Sequence, residues 1–482
     1  MTTPYSDPTG TSSAPVPPPG CPAHAQGPSG LRRLYGPEAQ GSPQALYEKL
    51  RQEHGPVAPV LLPGDVPAWL VLGHRENLEV MRAPSLFSCD SHNWNVKLQA
   101  DSPLLPITAW QPLVAFTDGE EHARLRRAIT DSLDRFNRHG IRRYVVRYAN
   151  QLIDDFAATG QADLVGGFAE KLPVLVLAVQ FGIPEKDALA LGEAVRDMVK
   201  GTQTALQSNQ FVVDTMWELV KRKQEKPGED FASSLLRHDS DLSDTEVMEH
   251  LRHAIVAAVE NTVNLIANTL RMVLTDRRFR GSLSGGQMTL PDGLDQVFWD
   301  APPLGVVPTR WATGDMVLGG QQIRAGDMVM LGLAAGNVDP EIRPDLNAPV
   351  HGNRSHLAFG AGPHECPGQD IGRAIADTGI DTLLMRLPDV QLAVSEAELH
   401  VTASLVSGRL DSLPARFSPR RPGKGGEPTA AVTLTAPRTA SLGQPLPAAE
   451  PTAVPSWAAA GTATRGPWWR RFIGRRGSRW RA

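Results

Sequence analysis

One cysteine of this chain lies in a setting that could support chemistry. Residues 356–373 read HLAFGAGPHECPGQDIGR, with Cys366 near their centre. Glycines at 360 and 362 can adopt backbone turns that other residues cannot, and they let the backbone approach a flat ligand closely. Apolar residues near helical spacing follow, so Cys366 is expected just before a helix N-terminus. Such a position lowers the pKa of a thiol and favours the thiolate, which can act as a nucleophile or as a soft metal ligand.

The residues around the cysteine form a longer pattern, F-G-x-G-x-H-x-C-x-G, made by Phe359, Gly360, Gly362, His364, Cys366 and Gly368. No second cysteine or C-x-x-C stands nearby to form a zinc site or a disulfide. The pattern resembles the haem-binding loop of the cytochrome P-450 superfamily, in which such a cysteine is the proximal thiolate ligand of the iron. The resemblance implies haem b as cofactor, with Cys366 on the metal and Phe359, Gly360, His364 and Gly368 around it.

Positively charged residues elsewhere match family positions that bind the haem propionates. His122 and Arg126 lie at i and i+4 on a predicted helix that opens with acidic residues. By itself this spacing is typical of a solvated basic face. The resemblance implies an H-x-x-x-R pair bonded to propionates, whose negative charges a buried site must neutralise. Arg310 and His356 match further propionate positions, and His364 is another candidate.

The longest predicted helix begins where Ser243 and Glu246 form a capping box. Apolar residues then recur every three or four positions over about 33 residues, which would span roughly 50 Å. Its middle, VAAVENTVNLIANTL, resembles the oxygen-binding helix of the family, with its A-G-x-[DE]-T pattern. Glu260 matches the acid of that pattern and is the candidate for proton supply, with a polar outer face of the helix as the alternative explanation.

The same helix departs from the family at its next residue. Asn261 takes the place of the usual threonine, whose hydroxyl helps deliver protons during oxygen activation, and an amide relays protons poorly. Thr262 is adjacent but lies about 100° further round the helix. A π-bulge could bring Thr262 into place, since such bulges occur at functional sites. Water or a substrate hydroxyl could also substitute.

A second departure concerns the E-x-x-R pair that braces the haem loop in the family. Counting back from Pro302 and Pro303, the two positions hold Gln296 and Trp299, which cannot form an ion pair. A glutamine can still hydrogen-bond, and an indole can pack and donate once. An actinobacterial branch of the family is similar in lacking this pair, so the change leaves haem binding open.

Residues 87–114 show no sustained periodicity, and a long irregular segment in a compact chain is usually functional or mobile. In the resembled family this region covers the substrate pocket. His92, Trp94, Trp110 and Leu113 are the candidate lining residues. Anchoring of the loop by the same side chains is an equally good explanation.

The ends of the chain differ in composition from its middle. Residues 1–30 and 418–464 are rich in Pro, Ser, Thr, Ala and Gly and are expected to be disordered. Residues 465–482 form a basic aromatic tail of arginines and tryptophans, which suits an anionic membrane, an acidic partner or simple solvation. The predicted haem domain spans residues 31–417, and a strand hairpin is expected from 57–62 and 68–72.

Composition narrows the class of protein. The chain has 482 residues, a net charge of −4 and three cysteines, which argues against a general nucleic-acid binder and against a disulfide framework. The N-terminus lacks the apolar segment of a secretory signal. We therefore expect a cytoplasmic protein, with the tail able to hold it at a membrane surface.

These features predict a mainly α fold with small β-sheets, a single large haem domain of the cytochrome P-450 type. The resemblance implies a monooxygenase that inserts one oxygen atom into a small organic substrate, with electrons from a separate ferredoxin and ferredoxin reductase. Two alternatives follow from the departures. One is a non-catalytic haem sensor or assembly partner, and the other is a peroxide-driven enzyme, for which no pocket arginine can be placed from the sequence.

Overall fold

The computed structural model describes residues 31–36, 43–99, 102–135, 138–350, 352–403 and 406–421. The arm predicted over 1–30, the tail predicted over 465–482 and all but the first residues of the linker predicted from 418 lie outside these ranges. The boundaries drawn for those segments stay predictions.

Helices account for most of the described residues. In chain order they are α1 (Pro43–His54), α2 (His74–Arg82), α3 (Leu105–Thr108), α4 (Gly119–Asp134), α5 (Arg138–Phe156), α6 (Lys171–Phe181), α7 (Glu185–Lys200), α8 (Ala205–Glu225), α9 (Phe231–Leu236), α10 (Asp244–Thr275), α11 (Arg277–Ser284), α12 (Leu290–Asp300), α13 (Leu333–Asn337) and α14 (Gln369–Arg386).

The strands are short. They are β1 (Arg32–Arg33), β2 (Val57–Leu62), β3 (Val66–Val71), β4 (Phe87–Ser88), β5 (Gln161–Asp163), β6 (Val306–Val307), β7 (Trp311–Ala312), β8 (Met316–Leu318), β9 (Gln321–Ile323), β10 (Val329–Gly332), β11 (Gln391–Leu392), β12 (Val401–Ala403), β13 (Gly408–Leu410) and β14 (Pro414–Arg416).

The largest sheet of the described chain has five strands in the order β1-β2-β3-β10-β6. The predicted hairpin forms its centre, with β2 and β3 antiparallel and Val57 opposite Val71. Both strands are buried along their whole length, which explains their unbroken apolar sequences. The predicted mainly α class with small sheets is confirmed.

Helix α10 forms the centre of the helical region. The predicted capping box is present, with the Ser243 side chain accepting from the Glu246 N–H and the Glu246 carboxylate accepting from the Ser243 N–H. The helix packs against α6, α7, α8, α9, α12 and α14, so apolar residues recur on several of its faces. Within the described residues, no helix combines the length and apolar character needed to span a bilayer.

Helix α14 is the element that holds the cysteine loop. It packs against α5, α10 and α12, and its Ile375, Ile380 and Leu383 are fully buried. A short 3-10 turn (Gly362–His364) precedes it and packs against α2. The loop that carries Cys366 is therefore fixed at one end by α14 and at the other by α2.

Candidate functional site

The Cys366 loop is a tight turn closed by backbone hydrogen bonds. The amide of Cys366 donates to the Phe359 carbonyl at 2.8 Å, and the amide of Gly360 donates to the Leu357 carbonyl at 2.8 Å. Gly360 and Gly362 have φ of 69° and 71°, in the left-handed region that favours glycine. A Cβ at Gly362 would lie 2.6 Å from the Met81 carbonyl oxygen, so a side chain there would push the loop off α2.

The loop does not favour the thiolate by itself, contrary to the sequence-based expectation. Burial raises the pKa of the Cys366 thiol above its usual value, while the Gly368 backbone amide and the positive charge of Arg126 act in the opposite direction. Desolvation outweighs the helix N-terminus here, although Cys366 as a whole residue is only half-buried. A metal ion, which deprotonates a coordinating thiol outright, would reverse this balance.

Positively charged and imidazole side chains from three parts of the chain meet beside Cys366. His122 and Arg126 come from α4, Arg310 from the link between β6 and β7, and His364 from the 3-10 turn. The His122 and His364 rings lie 4.1 Å apart between centroids. Arg126 and Arg310 both act electrostatically on each of these rings, and Arg126 also acts on the Cys366 sulfur.

The electrostatics of this cluster suit an anionic group. Burial, helped by the charges of His364 and Arg126, lowers the pKa of His122 to about 4. His122 Nε2 is buried and has no hydrogen-bond partner among the described residues. Buried polar atoms are ordinarily paired, so this nitrogen lacks a partner that a carboxylate could supply. The donor set therefore fits the propionates of a haem lying against Cys366.

The His364 ring is held in place by other residues of the chain. Its Nε2 lies 3.4 Å from the Asp118 carboxylate and 3.2 Å from the Cys89 sulfur. Asp118 also accepts from the Ser88 hydroxyl at 2.6 Å and from the Cys89 amide at 2.9 Å. The Asp118 carboxylate thus orients the His364 ring beside His122 and ties the start of α4 to β4.

His356 lies in a separate group behind the loop. Its Nε2 is 3.1 Å from the Arg373 guanidinium, and its ring lies 5.0 Å from Phe298 and 5.8 Å from Phe359 between centroids. Burial lowers the pKa of His356 to about 4, helped by the charge of Arg373. Because Arg373 can only donate, we assign the proton of the neutral ring to Nδ1, which is buried and has no partner among the described residues.

The acid of the long helix is held in a buried network. Glu260 is 8% exposed, accepts from Asn264 at 3.3 Å and forms an ion pair with Arg409 of β13. Arg409 also pairs with Glu170 at 2.6 Å, and Glu170 pairs with Arg196 at 2.9 Å. Burial raises the pKa of Glu260 and Arg409 opposes that shift. The network joins α10 to α7 and to the C-terminal hairpin formed by β12 and β13.

Asn261 and Thr262 lie on different faces of α10. The helix is α-helical over its whole length, with no π-bulge to rotate Thr262 into the position of Asn261. Asn261 is half-buried, whereas the Thr262 hydroxyl is buried towards α14, 3.8 Å from where a Cβ on Gly372 would stand. The one π-turn of the described chain is at Val165–Ala169.

Other contacts replace the E-x-x-R pair, whose two positions hold Gln296 and Trp299 in this chain. Gln296 donates to Asp300 at 2.5 Å, and Arg343 pairs with Asp300 at 2.9 Å. The Trp299 indole donates to the Asn353 carbonyl at 2.8 Å. Arg343 and Asn353 are therefore fastened to α12, the first through Asp300 and the second through Trp299.

A second fastening lies one residue before Gln296. Asp295 is 1% exposed and pairs with Arg373 at 2.5 Å and with Arg354 at 3.4 Å. These ion pairs tie α12 to α14 and to the segment that enters the cysteine loop. Asp295, Arg343 and Arg409 were not among the residues predicted from the sequence. The acid beside Gln296 was a readable signal for the first, but the partners of the other two lie far away in the sequence.

The candidate lining residues of 87–114 do not share one role. His92 and Trp110 are exposed, with ring centroids 5.2 Å apart. Trp94 packs against Trp311 at 6.1 Å, and Leu113 is fully buried in the core. Leu113 and Trp94 therefore anchor the loop, while His92 and Trp110 lie at its surface.

Comparison with known proteins places this geometry in a family. No protein-family model matches the sequence. Among curated proteins, cytochrome P-450-SU2 of Streptomyces griseolus is 30% identical over 359 residues, covering 72% of this chain and 87% of the relative. The 2-hydroxy-5-methyl-1-naphthoate 7-hydroxylase of Streptomyces carzinostaticus is 28% identical over 384 residues, covering 77% of this chain and 94% of the relative.

Solved structures agree with these relatives. CYP154C4 from a Streptomyces species superimposes with a TM-score of 0.72 at 28% identity, covering 77% of this chain and 95% of the other. CYP154A1 from Streptomyces coelicolor A3(2) gives a TM-score of 0.70 at 26% identity, covering 78% of this chain and 98% of the other. With its cysteine loop, its cationic cluster and these relatives, the chain belongs to the cytochrome P-450 superfamily of monooxygenases.

Proposed function

We propose that this chain binds haem b through Cys366 and hydroxylates a small organic substrate. The observation that carries the proposal is the convergence of His122, Arg126, Arg310 and His364 on the side of the loop where Cys366 lies. These four residues would hold the propionates. A haem with a cysteine thiolate supplies reductive activation of dioxygen, and electron donation from sulfur favours cleavage of the O–O bond.

The remaining loop residues would shape the cofactor pocket. Phe359 would supply an apolar contact for the cofactor, Gly360 would allow close approach of the backbone, and the Gly368 amide would hydrogen-bond the sulfur. His356 would add a donor through its unpartnered Nδ1.

Protons would reach the site along α10. Glu260 is the proposed source because burial raises its pKa, and Arg409 and Asn264 fix its orientation. The Asn261 amide would position a water or a substrate hydroxyl that completes the relay, since the amide alone transfers protons poorly. Thr262, whose hydroxyl is buried towards α14, would act through a water.

The proposed partners follow from the family to which the chain belongs. Its members receive electrons from redox proteins, and we propose a ferredoxin and a ferredoxin reductase as the electron donors here. The named substrates of two relatives, a hydroxy-methyl-naphthoate and mycinamicin IV, make such compounds the first to test here. Binding of an anionic membrane or acidic protein by residues 465–482 stays a proposal from sequence. The hydroxylase names of the relatives do not favour the sensor alternative.

The proposal can be tested with purified haem-loaded protein, a ferredoxin and its reductase. A panel of aromatic and macrolide compounds should yield at least one ligand that shifts the haem from low to high spin and accelerates NADPH oxidation with product formation. The variant Asn261→Thr should raise coupled turnover if proton delivery limits the wild type. Ligand binding that never produces turnover in either protein would contradict the proposal.

A further inference from the structure

His253 is an accessible histidine in the N-terminal half of α10. The residues on most faces of this helix are buried, but an open stripe runs along one face through His253, Ala257 and Asn261. These residues are spaced i, i+4 and i+8, so they project in nearly the same direction. Ala254 and Ala258 flank the stripe with small apolar side chains that are half-buried.

Other elements cover the helix beside His253. The His250 Nε2 accepts from the Val114 amide at 3.0 Å, which places segment 105–114 across α10 three residues before His253. The neighbouring Arg252 donates to Gln111 of the same segment and to Asn209 of α8 at 3.5 Å. Segment 105–114 and α8 therefore both lie beside the accessible ring of His253, and the chamber that we infer is the space between them and the open stripe.

The state of the His253 ring agrees with an enclosed chamber. Protein surrounds the ring closely enough to lower its pKa to about 4, with the charges of His250 and Arg252 acting in the same direction. The ring is therefore neutral at pH 7 and offers one donor and one acceptor. Among the described residues neither nitrogen has a hydrogen-bond partner, so both are free to bind a ligand.

The helix fixes the distance between this ring and the proposed reaction site. Asn261 comes eight positions after His253, a distance of about 12 Å along the helix axis at the usual rise per residue. A ligand that spans this distance along the open stripe would meet alanine side chains on the way. The chamber thus combines apolar walls with one polar group at its far end.

We propose that His253 is a specificity-determining residue that hydrogen-bonds a neutral hydroxyl or carbonyl group at the far end of an elongated, apolar substrate. The proposal rests on the function proposed above, because it takes Asn261 to mark the reacting end. Neutral groups are favoured over carboxylates because the ring carries no charge to pair with an anion, and the adjacent Arg252 is occupied by Glu249 and Gln111.

Azole ligands that anchor on haem test this directly. The probes are imidazole, biphenylyl-imidazole and the same biphenylyl compound with a hydroxyl on its far ring. Dissociation constants are read from the absorption shift that nitrogen ligation causes, so turnover is not needed. In the wild type the hydroxyl should tighten binding about five- to tenfold, the size expected for one buried neutral hydrogen bond.

Variants of His253 test whether this histidine causes the tighter binding of the hydroxylated probe. In His253→Leu the two biphenylyl probes should bind equally, whereas His253→Gln should keep part of the preference. The exposed His400 provides a matched control, and His400→Leu should keep the whole preference. Imidazole itself should bind all four proteins alike.

The outcomes separate this inference from the proposed function. A hydroxyl preference that persists in His253→Leu, or failure of both biphenylyl probes where imidazole binds, would overturn the role of His253 and leave the haem site intact. Absence of any shift with imidazole would overturn the haem site itself, and the inference with it.

Discussion

The guanidinium carbon of Arg343 lies over the Trp299 indole, 5.4 Å from the ring centroid. Arg343 also pairs with Asp300, and the indole N–H is bonded to Asn353. A cation–π contact and an ion pair thus fill the place where the family carries its Glu/Arg pair. An indole face attracts a desolvated guanidinium, so the substitution exchanges one kind of electrostatic brace for another.

This brace predicts a large cost for Trp299→Ala. The side chain is 2% exposed, and its loss would leave a cavity, an unpaired carbonyl and a buried guanidinium. We expect the free energy of unfolding to fall by about 3–5 kcal/mol, measured by urea denaturation. Trp110→Ala, at a side chain that is 41% exposed, is the matched control and should cost about 1 kcal/mol or less. An equal fall in the free energy of unfolding for the two variants would show that Trp299 has no bracing role.

Asp295→Asn should be similarly costly for a different reason. The carboxylate is 1% exposed and neutralises Arg373, which also contacts His356. Removing one partner of a buried pair leaves an uncompensated charge, at a cost of about 3–5 kcal/mol. The same change at Asp239, whose side chain is 80% exposed and pairs with Arg127 at 3.0 Å, should cost about 1 kcal/mol or less. Chemical denaturation of the two variants should therefore differ clearly, and a small effect at Asp295 would count against its role.

The Arg409 network predicts an asymmetry between its members. Arg409→Met would leave the buried Glu260 without a cation and Glu170 with only Arg196, whereas Glu260→Gln leaves Arg409 paired with Glu170. We expect Arg409→Met to lower the free energy of unfolding more than Glu260→Gln. The double variant should cost less than the sum by about 1–3 kcal/mol.

Arg196→Met is the control for this network. Arg196 pairs with the same Glu170, but its side chain is 41% exposed, so its loss should cost about 1 kcal/mol or less. Additive single and double variants would mean that Glu260 and Arg409 are not coupled.

Acid should destabilise the haem-free protein through His122. Its pKa is about 4 in the folded chain, below the value of about 6.5 expected when unfolded. The unfolded chain then binds more protons between these values, so stability falls as the pH is lowered from about 6.5 towards 4, by up to about 3 kcal/mol. His122→Gln should flatten this part of the stability curve.

Loading with haem should weaken the same dependence, because propionates beside the ring would favour its protonated form. Urea titrations of both forms at several pH values provide the measurement. An unchanged slope after haem binding would mean that no propionate lies next to His122.

The sequence allowed the local features of the site to be predicted but not the pairings behind them. The Cys366 loop, the capping box at Ser243 and the hairpin β2–β3 depend on neighbouring residues, so their patterns are readable. The Arg409–Glu260 pair joins residues 149 positions apart, and no local sequence pattern predicts it. The thiol pKa of Cys366 was wrongly expected to be lowered because burial is a property of the whole fold.

The departures from the family show the same difference between local features, which can be predicted from the sequence, and long-range contacts, which cannot. Gln296 and Trp299 could be identified as substitutions by counting from Pro302. That Arg343 and Asp295 compensate for them depends on how the segment at 343–354 packs against α12, which only the folded chain reveals.

The most direct test of a haem held by Cys366 is the difference spectrum of the reduced, carbon monoxide-bound protein, recorded beside Cys366→Ser. Cys89→Ser, at the other described cysteine, is the matched control. We predict a Soret band at the thiolate position in the wild type and in Cys89→Ser, and its loss in Cys366→Ser. A band at the position of histidine or thiol ligation in the wild type, or no haem at all, would contradict the account.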